Sequence, residues 1–180
     1  MLKQLTALAL AATSGSALAQ GDTLFRGGPV FETFGTHAPV GGAETFGDAT
    51  RFKVAFDNNV AAKPGERSFS LEMAARFINV HVAAGVPREN IEVAMVVHGV
   101  ACPDLLTDKA WAARGLGPVN PSSAMVREMI AKGVVFYIAG QSTADLGIVN
   151  DDLIPGVKVT LAAMTAHALL QQQGYTLNPF

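Results

Sequence analysis

Four apolar runs set the rhythm of the chain, and each ends in polar residues. Arg51-Phe-Lys-Val-Ala-Phe-Asp57 alternates apolar and polar positions and predicts a first strand that ends in Asp-Asn-Asn. Ile91 to Val97 is short, β-branched and apolar at nearly every position, which predicts a strand buried on both faces. Val134 to Ile138 has the same character, and Gly156 to Leu161 predicts a fourth strand. The tail, Tyr175 to Phe180, predicts a short edge strand or a contact with a partner.

Between these runs the period changes to that of a helix. Phe69, Met73, Phe77, Val80 and Ala84 recur at helical spacing, with Ala74, Ile78 and Val82 widening the stripe. Ser68 or Ser70 can cap this helix, and Gly85 and Pro87 end it. Further helices are predicted from Pro103-Asp104 to Ala113, from Ser122 to Lys132, from Ser142 to Asp145, and from Ala162 to Gln173. Strands that alternate with helices must run parallel, with right-handed crossovers and helices on both faces of one sheet. The predicted class is α/β, a three-layer α/β/α domain spanning residues 50–180.

The residues before that domain follow neither period. Residues 1–19 read as a secretory signal peptide: Lys3, an apolar stretch from Leu5 to Ala12, and Ala17-Leu18-Ala19 before Gln20. The mature chain would hold about 160 residues, enough for one domain, in the periplasm or outside the cell. Residues 20–49 read as an extended arm, rich in Gly and Thr and carrying Phe25, Phe31, Phe34 and Phe46. Such aromatic content predicts anchorage on the domain or on a neighbouring subunit. His37 in this arm reads as a solvated loop histidine. The apolar tail and the broad stripe on the helix from Ser68 to Ala84 predict a homo-oligomer.

Lys and Arg total 13 against 15 Asp and Glu, and Lys3 falls in the leader. The remainder is mildly acidic and has no basic patch, which argues against nucleic-acid binding. No later stretch reaches the length of a membrane span. The sequence contains no metal-ligand spacing and no dinucleotide or P-loop fingerprint, so neither a metal nor a cofactor is expected.

Candidate chemistry collects at two strand ends. The first runs from His98-Gly99 to Cys102, the sole cysteine. A lone thiol in an oxidising compartment is an intermolecular partner, a buried inert group or a reactive nucleophile. A helix starting at Pro103 would favour the thiolate of Cys102. His98 either orients or deprotonates that thiol or bonds loop carbonyls. The second end is Gly140-Gln141-Ser142, whose amide, hydroxyl and backbone N–H groups suit an anion. Asn120 caps the helix that follows it or reaches a ligand. His167 reads as a buried or interfacial histidine on the last helix.

Several of these motifs, in order, resemble the DsrE/DsrF-like (intracellular sulfur oxidation) superfamily in its signal-peptide-bearing branch. They are Gly28-Pro29-Val30, Phe52 to Asp57, Ala75-Arg76-Phe77-Ile78-Asn79 and Val96-Val97-His98-Gly99. Asn120-Pro121, Gly133-Val134 into Gly140-Gln141-Ser142, Asp152 to Val157, Ala163 to Ala166 and Gln172-Gln173-Gly174-Tyr175 follow. The resemblance implies a flavodoxin-like three-layer fold, oligomers, and in sulfur-relay members a cysteine that carries persulfide between partner proteins. That cysteine commonly stands just before Gly-Gln-Ser, where this chain has Ala139. The function expected is binding of a small ligand or a partner protein. The alternative is a persulfide relay using Cys102, with a sulfur-donor or acceptor protein as partner.

Overall fold

The computed structural model describes residues 24–178; the leader expected at residues 1–19 lies outside them. Five strands form one sheet: β1 (Phe52–Asn58), β2 (Ile91–Val97), β3 (Val135–Ala139), β4 (Lys158–Thr160) and β5 (Thr176–Asn178). Their order is β4-β3-β2-β1-β5, and every pairing is parallel. The class is therefore the α/β class expected from the sequence. A flavodoxin sheet fills the place beside β1 with its second strand; here the last strand takes it.

Chain direction explains the layers. From β1 to β4 each crossover steps the same way across the sheet, so right-handed connections stay on one face. That face carries α1 (Phe69–Ala83) and α3 (Ser123–Ala131). The step from β4 back to β5 reverses direction, which places α5 (Ala163–Gln172) on the other face. The main core lies on the first face. There Val54, Phe56, Val93, Met95, Val97, Phe136 and Ile138 meet Leu71, Ile78, Val126 and Met129. The second core is thin: Ala55, Ala94 and Val96 against Ala166 and Leu170.

The helix expected from Pro103 to Ala113 is instead two pieces. A 3-10 helix spans Gly99–Leu105, Leu106 is extended, and α2 (Asp108–Ala113) starts from a Thr107 cap. The reason is tertiary. Leu106 bridges Leu153, Thr107 N–H donates to the Asp152 carbonyl at 2.8 Å, and Ile154 N–H donates to the Leu105 carbonyl at 2.9 Å. A strand-like contact at Leu106 is incompatible with a continuous helix.

The arm is anchored, not solvated. Phe31 and Phe34 are buried against α1. Asn79 accepts the N–H groups of Val30 and Phe31 and donates to the carbonyls of Phe31, Phe34 and Gly35. Gly28 lies so close to the Asn79 amide that a Cβ there would overlap it. His37 is also buried, since its backbone pairs with Arg26 in an antiparallel bridge. Solvation was the wrong expectation for it because the bridge has no periodic signature.

Candidate functional site

At the C-terminal end of β1, alternation sends Asp57 and Asn58 to opposite faces of the sheet. Asp57 emerges on the α5 side. The next strand brings His98 to the same rim, since Asn58 pairs with Val97 and the Asn58 carbonyl accepts His98 N–H at 3.0 Å. The last helix then lowers His167 onto the same carboxylate. His167 Nε2 lies 2.6 Å from Asp57 Oδ1, and His98 Nε2 lies 3.1 Å from Asp57 Oδ2. One carboxylate is thus held between two imidazoles from β1, the β2 end and α5.

The geometry fixes the proton positions. An ionised carboxylate only accepts, so both rings present Nε2–H to Asp57 and their Nδ1 atoms carry the lone pair when neutral. Burial works to raise the Asp57 pKa, but the hydrogen bonds and charges of His167 and His98 outweigh it and hold the group below 3.8. Nδ1 of His167 is buried without a hydrogen-bond partner. His98 is 28 % exposed, and its Nδ1 makes no hydrogen bond among the described residues. His98 therefore offers an oriented acceptor at the surface, as a carboxylate-backed imidazole does in general base catalysis.

The second strand end sits beside it. Gly99 N–H donates to Ser142 Oγ at 2.9 Å, which ties the β2 end to α4 (Gly140–Asp145). A Cβ on Gly140 would stand 2.7 Å from the Thr160 carbonyl, so β3 can turn into α4 against β4 only with glycine there. Gln141 is exposed at the rim. The two strand ends expected to share a rim are adjacent: His98, Gly99, Gly140, Gln141 and Ser142 lie together. Extending the β2–β3 register by one residue from Val97 and Ile138 sets His98 beside Ala139.

Cys102 is placed differently. It lies in the middle of the 3-10 helix, within the first-face core, and is 0 % exposed. Burial pushes its thiol up to about 11; the Ser142 hydroxyl opposes this and the Asp104 carboxylate adds to it. With no helix starting at Pro103, the expected thiolate stabilisation is missing. Asn120 is turned inward as well. It donates to the carbonyls of Asp104 (3.0 Å) and Leu106 (2.7 Å) and accepts Ser122 N–H (2.9 Å). Its amide is used up in holding the turn before α3.

Two members of the cluster carried little sequence signal. Asp57 looked like the polar end of a strand, and His167 like a helix residue among apolar neighbours. The available clue was parity, since Asp57 continues the Lys53-Ala55 face of β1 as His98 continues the Ala94-Val96 face of β2. Among the described residues no group of three or more His, Cys, Asp or Glu side chains is arranged to hold a metal ion. No helix among them is long and apolar enough to cross a membrane.

Comparison with known proteins adds a family. The model described as "DsrE/DsrF-like family" matches residues 52–179. No curated protein matches the chain. Among solved structures, a protein of unknown function from Methanobacterium thermoautotrophicum, MTH1491, aligns with a TM-score of 0.51 at 20% identity. The alignment covers 72% of this chain and 99% of that one. The ychN protein from E. coli aligns over 72% of this chain and 99% of its own, at 21% identity and a TM-score of 0.49.

Proposed function

The chain belongs to the DsrE/DsrF-like family, and from that premise we propose that its strand-end rim binds a small protic sulfur species without forming a covalent bond to the protein. The observation that carries this reading is Asp57 held between His98 and His167, with Nδ1 of His98 left over. A ligand that brings an acidic proton, such as hydrosulfide, donates it to that nitrogen. Asp57 then stabilises the charge that develops on the imidazole. Gly99, Gly140, Gln141 and Ser142 form the neighbouring wall. Asn120 holds the turn behind it.

A persulfide relay through Cys102 is the competing reading. Full burial and a thiol raised to about 11 leave almost no thiolate at neutral pH. That relay would require the 3-10 helix to open. We also propose that the protein acts in the periplasm or outside the cell as a homo-oligomer. Val100, Leu161 and Met164, exposed by 67%, 71% and 81% close to the rim, support a protein contact there. A sulfur-donor or acceptor protein is the partner this reading implies.

The test is a titration of the ¹⁵N-labelled protein with sodium hydrosulfide, watched through the histidine ring nitrogens, with intact mass recorded after polysulfide treatment. The His98 resonances should shift, the shift should vanish in Asp57→Asn, and the mass should stay unchanged. A sulfur adduct that disappears in Cys102→Ala would replace this reading with the relay.

A further inference from the structure

A cavity of about 310 Å³ lies between the arm and α1, away from the Asp57 cluster. Arg26, His37, Glu44 and Phe46 line it from the arm, and Val80 and His81 from α1. Its walls are fixed at both ends. Asn79 holds the backbone of residues 30–35, and Asn90 Nδ2 donates to the Asp48 carbonyl at 2.7 Å. The Arg26–His37 bridge closes one side.

The polar groups facing this space are unspent. His81 Nδ1 lies 2.7 Å from the Phe77 carbonyl. A carbonyl only accepts, so Nδ1 carries the proton and Nε2 keeps a lone pair. The rings of Phe77, Phe52 and Phe46, at 4.0, 4.5 and 5.7 Å, hold the imidazole in place. Arg26 and Glu44 have no ion-pair partner among the described residues, nor do they pair with each other. His37 is 7 % exposed and its ring makes no hydrogen bond among them. The cavity thus combines one guanidinium donor, two acceptors (Glu44 and His81 Nε2) and an apolar wall.

We infer that this cavity is a binding site for a free α-amino acid with an apolar side chain. Its carboxylate pairs with Arg26, its ammonium with Glu44 and His81 Nε2, and its side chain rests on Phe46 and Val80. The volume sits at the lower end of the ~300–1,000 Å³ range of ligand pockets, which rules out nucleotide-sized molecules. Most of the lining precedes residue 52, where the family match begins. The site is therefore independent of the rim chemistry.

Isothermal titration of the full chain with L-leucine and L-phenylalanine tests it. Both should bind. 3-Phenylpropionate, which lacks the ammonium, and phenethylamine, which lacks the carboxylate, should each bind about tenfold or more weakly than phenylalanine, as loss of a charged hydrogen-bonding group predicts. Arg26→Gln should erase the advantage of phenylalanine over phenethylamine, and Glu44→Gln its advantage over 3-phenylpropionate. His98→Ala should leave all these affinities unchanged, which separates this site from the rim. No binding heat from either amino acid at millimolar concentration overturns the inference. So does equal binding of the acid, the amine and the amino acid, or unchanged selectivity in both variants.

Discussion

Asp57 and Asn58 are neighbours in sequence and opposites in circumstance. Asp57 faces α5, is about one-third exposed, and meets two imidazoles. Asn58 faces the thick core, is 2 % exposed, and its Nδ2 has no partner. Cys102 shares the Asn58 side. The face with two helices and a 3-10 turn over it has swallowed the one thiol, while the face covered by α5 alone leaves its titratable groups reachable. Access, set by how many crossovers a face receives, separates chemistry from packing here. Residue type does not.

The sharpest way to test that contrast is to cut one residue from each side of β1. Phe56→Ala, in the thick core, should cost about 3–5 kcal/mol in a urea titration. Asp57→Asn should stay within about 1 kcal/mol, because its partners are partly solvated, yet abolish the histidine response to hydrosulfide. Comparable stability losses would break the distinction between the faces.

Asn120→Ala comes next. It strips the Asp104 and Leu106 carbonyls and Ser122 N–H of a buried partner, and should cost about 2–3 kcal/mol. An unchanged midpoint with lost ligand response would instead make Asn120 a ligand contact.

The two faces should also titrate with opposite sign. Asp104, buried on the Cys102 side, is raised from 3.8 to about 6 by burial, against the pull of Ala62 N–H and Ser68. A raised acid binds its proton more tightly in the folded state, so its contribution is full below pH 3.8 and lost as pH rises through about 6. Asp57 is lowered, so its contribution is present above pH 3.8 and lost as pH falls through its folded value. In a Tm-against-pH series, Asp104→Asn should flatten the decline toward pH 6, and Asp57→Asn the loss in acid.

The smallest effect belongs to the thiol. Cys102→Ala should cost about 1 kcal/mol and leave the hydrosulfide response intact. The native protein should not react with a thiol-labelling disulfide until denaturant is added. Rapid labelling of the native state would place Cys102 at the surface.

The sheet was readable from residues because its strands are short apolar runs between helices, and Val93 to Val97 and Val134 to Ile138 have few alternatives. The break at Leu106 was not, because it depends on Leu153, which is remote in sequence. The rim of His98, Gly99, Gly140, Gln141 and Ser142 was legible from polar groups at strand ends. Asp57 and His167 were not, because they meet only through the returning crossover. Cys102 misled for a related reason: a cysteine before a proline looks like a helix entrance until the chain on either side is seen to bury it.

That returning crossover also sets a schedule. His167 and Asp57 lie 110 residues apart, and β5 closes the sheet beside the first strand made. During synthesis the β1 edge stays unpaired until the final strand has emerged. Long sequence separation makes such closures slow, since loop entropy is spent before any contact repays it. The carboxylate therefore waits without its second imidazole through nearly the whole of translation, and the site becomes whole only in the last act of folding.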